Sequence, residues 1–199
     1  EEYLARRDKA RQLAQAPSTF RRPKQPKPLP EGADQDYSKV FSSTTLRYLT
    51  QVRGIPLDVL RQAAVTEQVE RMPQTGRDER CIVFNYMEQG FLINQKFRDA
   101  KKNFKMVQGA ELIPYLIDSC LGEEEVIVTE GEMDALSFLA AGFRSVISIP
   151  SGANGNAGWM NRFYDLYFSD KQRVYIATDM DAPGQQAAEE LIRRFGPEV

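Results

Sequence analysis

From residue 121 onward the chain alternates short apolar runs with amphipathic stretches, and this rhythm restricts the possible folds more than any other feature. Val126-Ile127-Val128-Thr129, Ser145-Val146-Ile147-Ser148-Ile149 and Val174-Tyr175-Ile176-Ala177-Thr178 read as strands. Residues 133–141 read as a helix closed by Gly142, and residues 159–166 as a second. A last helix starts near Pro183 and Gly184, with Ala188, Leu191, Ile192 and Phe195 on one face. Runs that are apolar throughout, rather than at every second residue, suit strands covered on both faces. The expectation is an α/β unit with a parallel sheet. No internal repeat is present.

The first 120 residues read differently. Residues 1–16 are rich in helix formers, with a thin apolar stripe of Tyr3, Leu4, Ala10, Leu13 and Ala14. Residues 21–32 hold four prolines and four cations in twelve positions, which cannot build a core and predict an extended, solvated linker. Order is expected from about Tyr37. Ser42-Ser43-Thr44-Thr45 offers caps for a helix through Leu46, Tyr48, Leu49 and Val52, ended by Gly54. Pro56 suits the first turn of a short helix over residues 57–64. Residues 81–86 and 91–97 read as two strands joined by Glu88-Gln89-Gly90, a β-hairpin in a smaller α+β subdomain. The predicted organisation is therefore a helix plus linker (1–33), a subdomain (34–120) and the parallel-sheet domain (121–199).

Composition removes whole classes of chemistry. The chain of 199 residues contains no histidine, which excludes a Ser-His-Asp triad, an imidazole base and a His-ligated zinc within it. Cys81 and Cys120 are too far apart in sequence for a zinc ribbon, and so few cysteines fit a reducing compartment. No apolar run approaches the roughly 20 residues of a membrane span. The near-neutral net charge of −2 hides a division: residues 1–120 carry 20 basic and 15 acidic side chains, residues 121–199 carry 6 and 13. Residues 1–30 alone hold 8 basic and 3 acidic groups, so the linker segment accounts for the basic excess of the front.

Ligands of open α/β sheets bind at the carboxyl ends of the strands, and two acidic groups fall there. Glu130-Gly131-Glu132 ends the first strand, with Asp134 opening the helix, and Asp179-Met180-Asp181 ends the third. Either group alone reads more readily as a solvated turn or a helix cap than as a metal site. Together at equivalent strand ends they point to a divalent cation, because clustered carboxylates repel one another and Mg²⁺ prefers hard oxygen ligands completed by phosphate. Glu123-Glu124-Glu125 precedes its strand and reads as surface charge.

Residues 126–134 (VIVTEGEMD) and 175–184 (YIATDMDAPG), with the Ser151-Gly152-Ala153-Asn154-Gly155 loop between them, resemble the signature motifs of the TOPRIM fold. That fold is shared by DnaG-type primases, type IA and II topoisomerases, OLD-family nucleases and recombination mediators. Residues 95–105 (QKFRDAKKNFK) resemble the basic strand and loop that precede it in phage primase–helicases and their organellar relative Twinkle. With the helical region around Arg53-Gly54-Ile55, the resemblance covers residues 40–199.

The resemblance implies a Rossmann-like parallel sheet and a function in RNA primer synthesis on single-stranded DNA. It implies two-metal nucleotidyl transfer with Mg²⁺ or Mn²⁺, ribonucleoside triphosphates as substrates and pyrophosphate as product. It makes Glu130 the leading acidic residue, as general base or metal organiser, Asp179 and Asp181 metal ligands, and Glu132 and Asp134 supporting carboxylates. Lys96, Arg98, Lys102 and Lys105 would bind triphosphate or template, with Lys101 turned away by strand alternation. Five cations against one acid over residues 95–105, interleaved with Phe97 and Phe104, favour nucleic acid over a solvated hairpin tip. We expect a piece of a longer protein, with a helicase domain beyond residue 199 and a further acidic motif beyond the last helix. No Gly-x-x-x-x-Gly-Lys loop occurs within these residues. The expected location is the cytoplasm of a bacterial or phage-infected cell, or an organelle for a Twinkle relative. Two alternatives stand beside primer synthesis: a nuclease or topoisomerase of the same fold, and a degenerate DNA-binding module supporting a helicase.

Overall fold

The computed structural model describes residues 31–150 and 157–196. The predicted N-terminal helix, all but the end of the linker, and the Ser151-Gly152-Ala153-Asn154-Gly155 loop lie outside the described residues. Two compact units result. One comprises residues 31–86 and 92–111, the other residues 87–91, 112–150 and 157–196. The unit that holds the parallel sheet thus takes in the hairpin turn, residues 87–91, and runs on from Leu112.

The first unit opens with a 3₁₀ turn, Tyr37–Val40, capped by Asp36. Helix α1, Ser43–Arg47, starts on Ser42, whose side chain accepts the Thr45 N–H, and runs on as a π-helical turn, Tyr48–Val52. Gly54, at a left-handed φ of 69°, ends it. Helix α2 (Leu57–Gln62) follows Pro56. Four strands then form one sheet in the order of the chain: β1 (Thr66–Met72), β2 (Arg77–Glu88), β3 (Phe91–Arg98) and β4 (Phe104–Met106). The expected hairpin is β2–β3, and its turn is the pair Gln89-Gly90, with φ of 51° and 81°. Two successive left-handed residues match the right-handed twist of the flanking strands. Strands β1 and β4 were not anticipated. Met72, Cys81, Val83 and Phe97 form a buried cluster against the sheet, with Val107 packed on it.

The second unit has the predicted rhythm. Strands β5 (Glu125–Thr129), β6 (Val146–Ser148) and β7 (Arg173–Ala177) make a parallel sheet in the order β6-β5-β7. Helix α3 (Glu132–Ala140) packs on β5 and β6. A short helix α4 (Met160–Phe163) passes into a π-helical turn, Tyr164–Phe168, and α5 (Ala182–Phe195) lies on β7. Val126, Val128, Val146, Leu136, Phe163 and Leu191 are buried. Ile192, expected on the apolar face of the last helix, is exposed. Glu125 begins β5 and pairs across the sheet with Arg173 at 2.7 Å, so the third of the three glutamates is part of a strand at its amino end. Among the described residues no helix is long and apolar enough to cross a membrane.

Candidate functional site

The parallel register brings the two acidic motifs to one edge. Thr129 pairs with Ala177, so Glu130 and Asp179 leave adjacent strands at the same carboxyl end. The Asp179 N–H donates to Glu130 Oε2 at 3.3 Å. Thr129 Oγ1 donates to the Ile147 carbonyl at 3.0 Å and lies 3.1 Å from that of Gly131, which fixes where the chain turns after β5.

Two glycines stand at this edge, and the backbone requires the second, Gly184. A Cβ on Gly184 would lie 2.1 Å from the Asp179 carbonyl oxygen, so only glycine lets the first turn of α5 approach the second acidic motif this closely. A Cβ on Gly131 would lie 2.8 Å from Asp134 Oδ2, which places that carboxylate against the Gly131 backbone.

The five predicted carboxylates are not equivalent. Glu130 is half-buried, and Asp179, Asp181 and Asp134 are exposed. Glu132, at 4% exposure, is buried in the first turn of α3. Asp181 is the N-cap of α5: its Oδ1 accepts the Gly184 N–H at 2.9 Å, and its carbonyl accepts the Gln185 N–H at 2.9 Å. One oxygen of Asp181 is thus structural, which leaves Oδ2 for any ligand. Among the described residues no three acidic or cysteine side chains converge on one ion position. The donor set nevertheless fits Mg²⁺, which is commonly held by one or two carboxylates and completes its shell with water and substrate phosphate.

A cavity of about 530 Å³ in the same unit lies elsewhere, between the sheet residues Ile127 and Tyr175 and the side chains of Phe138 and Phe143. None of the predicted acidic site residues lines it.

The first unit holds the predicted cationic residues, and they divide into two kinds. Arg98 is buried, with Nη2 donating to the Tyr48 hydroxyl at 3.1 Å and its guanidinium 5.5 Å from the Tyr48 ring centre. Lys105 Nζ is 2.6 Å from Glu70 Oε2, donates to the Arg71 carbonyl at 3.2 Å and lies over the Phe97 ring. Both are built into the fold. Lys96 places its ammonium 4.9 Å above the ring of Phe104, which is 43% exposed. Lys101 and Lys102 are exposed, so Lys101 is not turned away as alternation suggested. The segment is not extended there: it is a tight loop, with Lys102 at a φ of 63°.

Sequence reasoning passed over the acid in this loop. Asp99 Oδ1 accepts the N–H groups of Lys101 (2.9 Å) and Asn103 (2.8 Å), and Oδ2 accepts Asn103 Nδ2 at 2.8 Å. A lone Asp among five cations, followed four residues later by Asn, was the available signal. Burial opposes ionisation of this carboxyl, but the hydrogen bonds from Asn103 and Lys101 outweigh it and hold its pKa below 3.8.

Residues 127–198 match the family model described as Toprim-like. Over 134 residues the chain is 35% identical to the chloroplastic/mitochondrial Twinkle homolog protein of Arabidopsis thaliana, covering 61% of this chain and 19% of that protein. Over 135 residues it is 35% identical to the Primase homolog protein of the same plant, covering 61% and 40%. The chain therefore spans less than half the length of these relatives. Among solved structures, it matches a chain of the bacteriophage T7 complex of lagging-strand DNA polymerase with primase domains of two gp4 subunits, with a TM-score of 0.59, 27% identity and coverage of 70% and 69%. The primase fragment of the T7 primase–helicase shares the fold, with a TM-score of 0.62, 24% identity and coverage of 92% and 70%. The chain thus carries a Toprim-like domain at residues 127–198 and is a relative of the Twinkle and primase homolog proteins, with the fold of the T7 primase fragment.

Proposed function

We propose that this chain is the RNA polymerase domain of a primase or primase–helicase, joining ribonucleotides on a single-stranded DNA template. The observation that carries this reading is the contact of Glu130 with Asp179 across the carboxyl ends of two parallel strands, within a Toprim-like domain. Support comes from the Primase homolog protein and from the DNA helicase/primase of Enterobacteria phage T3, to which the chain is 34% identical over 113 residues.

Glu130, Asp179 and the outer oxygen of Asp181 would hold a divalent ion, with Asp134 as a supporting carboxylate. Bound there, Mg²⁺ or Mn²⁺ would supply Lewis-acid activation of a 3′-hydroxyl and neutralise charge on departing pyrophosphate. Glu130 Oε2 is engaged by the Asp179 amide, which leaves Oε1 to accept a proton or a ligand. With no imidazole in the chain, proton acceptance falls to a carboxylate or to water. Exposed Lys101 and Lys102, with Lys96 above Phe104, would bind phosphate and let a base stack on the ring. In a longer protein this domain would act beside a helicase.

The test supplies a single-stranded template, labelled ribonucleotides and Mg²⁺ or Mn²⁺, and looks for short oligoribonucleotides. The parent chain should make them, and the double variant Asp179→Asn/Asp181→Asn should not. Unchanged synthesis in that variant overturns the mechanism. Mg²⁺-dependent nicking without nucleotides would instead establish a nuclease. DNA binding with no divalent-ion binding by calorimetry would establish a non-catalytic module.

A further inference from the structure

The loop between β3 and β4 contains an electrostatic oddity. Five cations over residues 95–105 surround a single acid, Asp99, and that acid is only 3% exposed. Its two oxygens take three hydrogen bonds from Lys101 N–H, Asn103 N–H and Asn103 Nδ2. The backbone closes the same ring: Asp99 N–H donates to the Asn103 carbonyl at 3.1 Å, and Lys102 N–H to the Asp99 carbonyl at 3.2 Å.

Such an arrangement uses the negative charge inside the loop. The carboxylate is met by backbone and amide dipoles, with the nearby Lys101 charge adding to them, while Lys101 and Lys102 remain exposed. Lys102 adopts a left-handed backbone, with φ of 63°, which is unfavourable for a non-glycine residue and persists where its surroundings enforce it. The bonds to Asp99 on either side of Lys102 are that enforcement. Arg98 and Lys105, by contrast, spend their charge on Tyr48 and on Glu70 and Arg71.

We infer that Asp99 is a positioning residue, holding the 99–103 loop so that Lys101 and Lys102 together grip phosphate, while Arg98 and Lys105 serve the fold. This rests on the nucleic-acid reading proposed above, and the ligand chemistry is phosphate, from a DNA backbone or a ribonucleoside triphosphate.

The experiment measures fluorescence anisotropy of the whole chain with two probes, a labelled single-stranded DNA and a labelled ribonucleoside triphosphate, across a salt series. Asp99→Ala removes a negative charge from a cationic cluster, so charge alone predicts tighter binding. Positioning predicts the opposite: binding weakens roughly tenfold, and the salt slope on DNA becomes shallower by about 0.7 for each phosphate that is no longer neutralised. Asp99→Asn keeps an acceptor for the backbone N–H groups and should bind at least as well as the parent. Asn103→Ala changes no charge, removes one of the three bonds and should weaken binding by a smaller factor, so it decides the matter if Asp99→Ala does not fold. A loss with one probe only identifies the source of the phosphate. Parent-like or tighter binding by Asp99→Ala, an Asp99→Asn loss as large as that of Asp99→Ala, or unchanged binding by Asn103→Ala overturns the inference and leaves the proposed function standing. If the parent itself binds neither probe, both fall.

Discussion

Gly184 is the residue on which the second acidic motif depends most sharply. Its missing Cβ leaves room for the Asp179 carbonyl, and a methyl group there would sit 2.1 Å from that oxygen. Because the neighbour is backbone, nothing flexible can yield. Gly184→Ala should cost about 1–3 kcal/mol in urea denaturation and displace Asp179 from Glu130. Asp181 separates structure from chemistry in the opposite way. Asp181→Ala should lose about 1 kcal/mol with the cap of α5, whereas Asp181→Asn keeps an acceptor for the Gly184 N–H and should stay within a few tenths of the parent. The asparagine variant should therefore melt like the parent while losing divalent-ion affinity by calorimetry. Asp118 supplies a pH-dependent case. Burial raises its pKa above 3.8, against hydrogen bonds from the Gln89 N–H, the Tyr167 hydroxyl and the Gln89 side chain. A raised carboxyl contributes its full stability below the ordinary value and loses it as pH rises through the raised one. Asp118→Asn should accordingly gain on the parent between acid and neutral pH, which paired urea titrations at several pH values will show.

At the scale of elements, the start of α1 depends on a residue of β1. Glu67 accepts the Ser42 N–H, the Ser42 hydroxyl at 3.0 Å and the Thr45 hydroxyl at 2.5 Å, with its side chain almost fully buried. Glu67→Ala leaves these donors without their acceptor and should destabilise by about 2 kcal/mol, read from the urea midpoint at an unchanged slope. Nothing local in the sequence announced this contact, and the same reason explains why β1 itself was missed. Its residues, Thr66 to Met72, include two apolar side chains, and Val69 is exposed. It is a strand because it pairs with β2, Thr66 against Val83 through Met72 against Arg77. Strands β5 and β6 were legible for the converse reason: Val126 to Thr129 and Val146 to Ser148 are buried, and burial on both faces writes itself into an unbroken apolar run, whereas β7 is apolar from Val174 to Ala177 yet only half-buried or exposed along its length. The acidic edge was legible because strand ends can be located in sequence, and the register then brought Glu130 to Asp179. The cationic group was legible only as a group. Whether each cation meets solvent or a partner depends on Tyr48, 50 residues from Arg98, and on Glu70, 35 residues from Lys105.

For the whole molecule, the two cysteines offer one reporter in each unit. Cys81 lies in the core of the first unit and Cys120 in the second, both without solvent exposure. Burial pushes the Cys81 thiol up to about 11 and the Cys120 thiol up to about 12, so little thiolate exists at neutral pH and neither group is reachable without opening. The clusters around them are built from different residues: Met72, Val83 and Phe97 are buried with Cys81, while Ile117 and Val146 are among the buried residues of the unit that holds Cys120. Units with separate cores open with separate free energies. Iodoacetamide should therefore leave both thiols unmodified in the native chain. Across a urea series, mass spectrometry of the two cysteine peptides should show protection disappearing at two different midpoints. Coincident midpoints would show that the units unfold as one block, in which case Gly184→Ala and Glu67→Ala should each lower the protection of both cysteines. Separate midpoints carry the opposite expectation, with Gly184→Ala exposing Cys120 alone and Glu67→Ala exposing Cys81 alone.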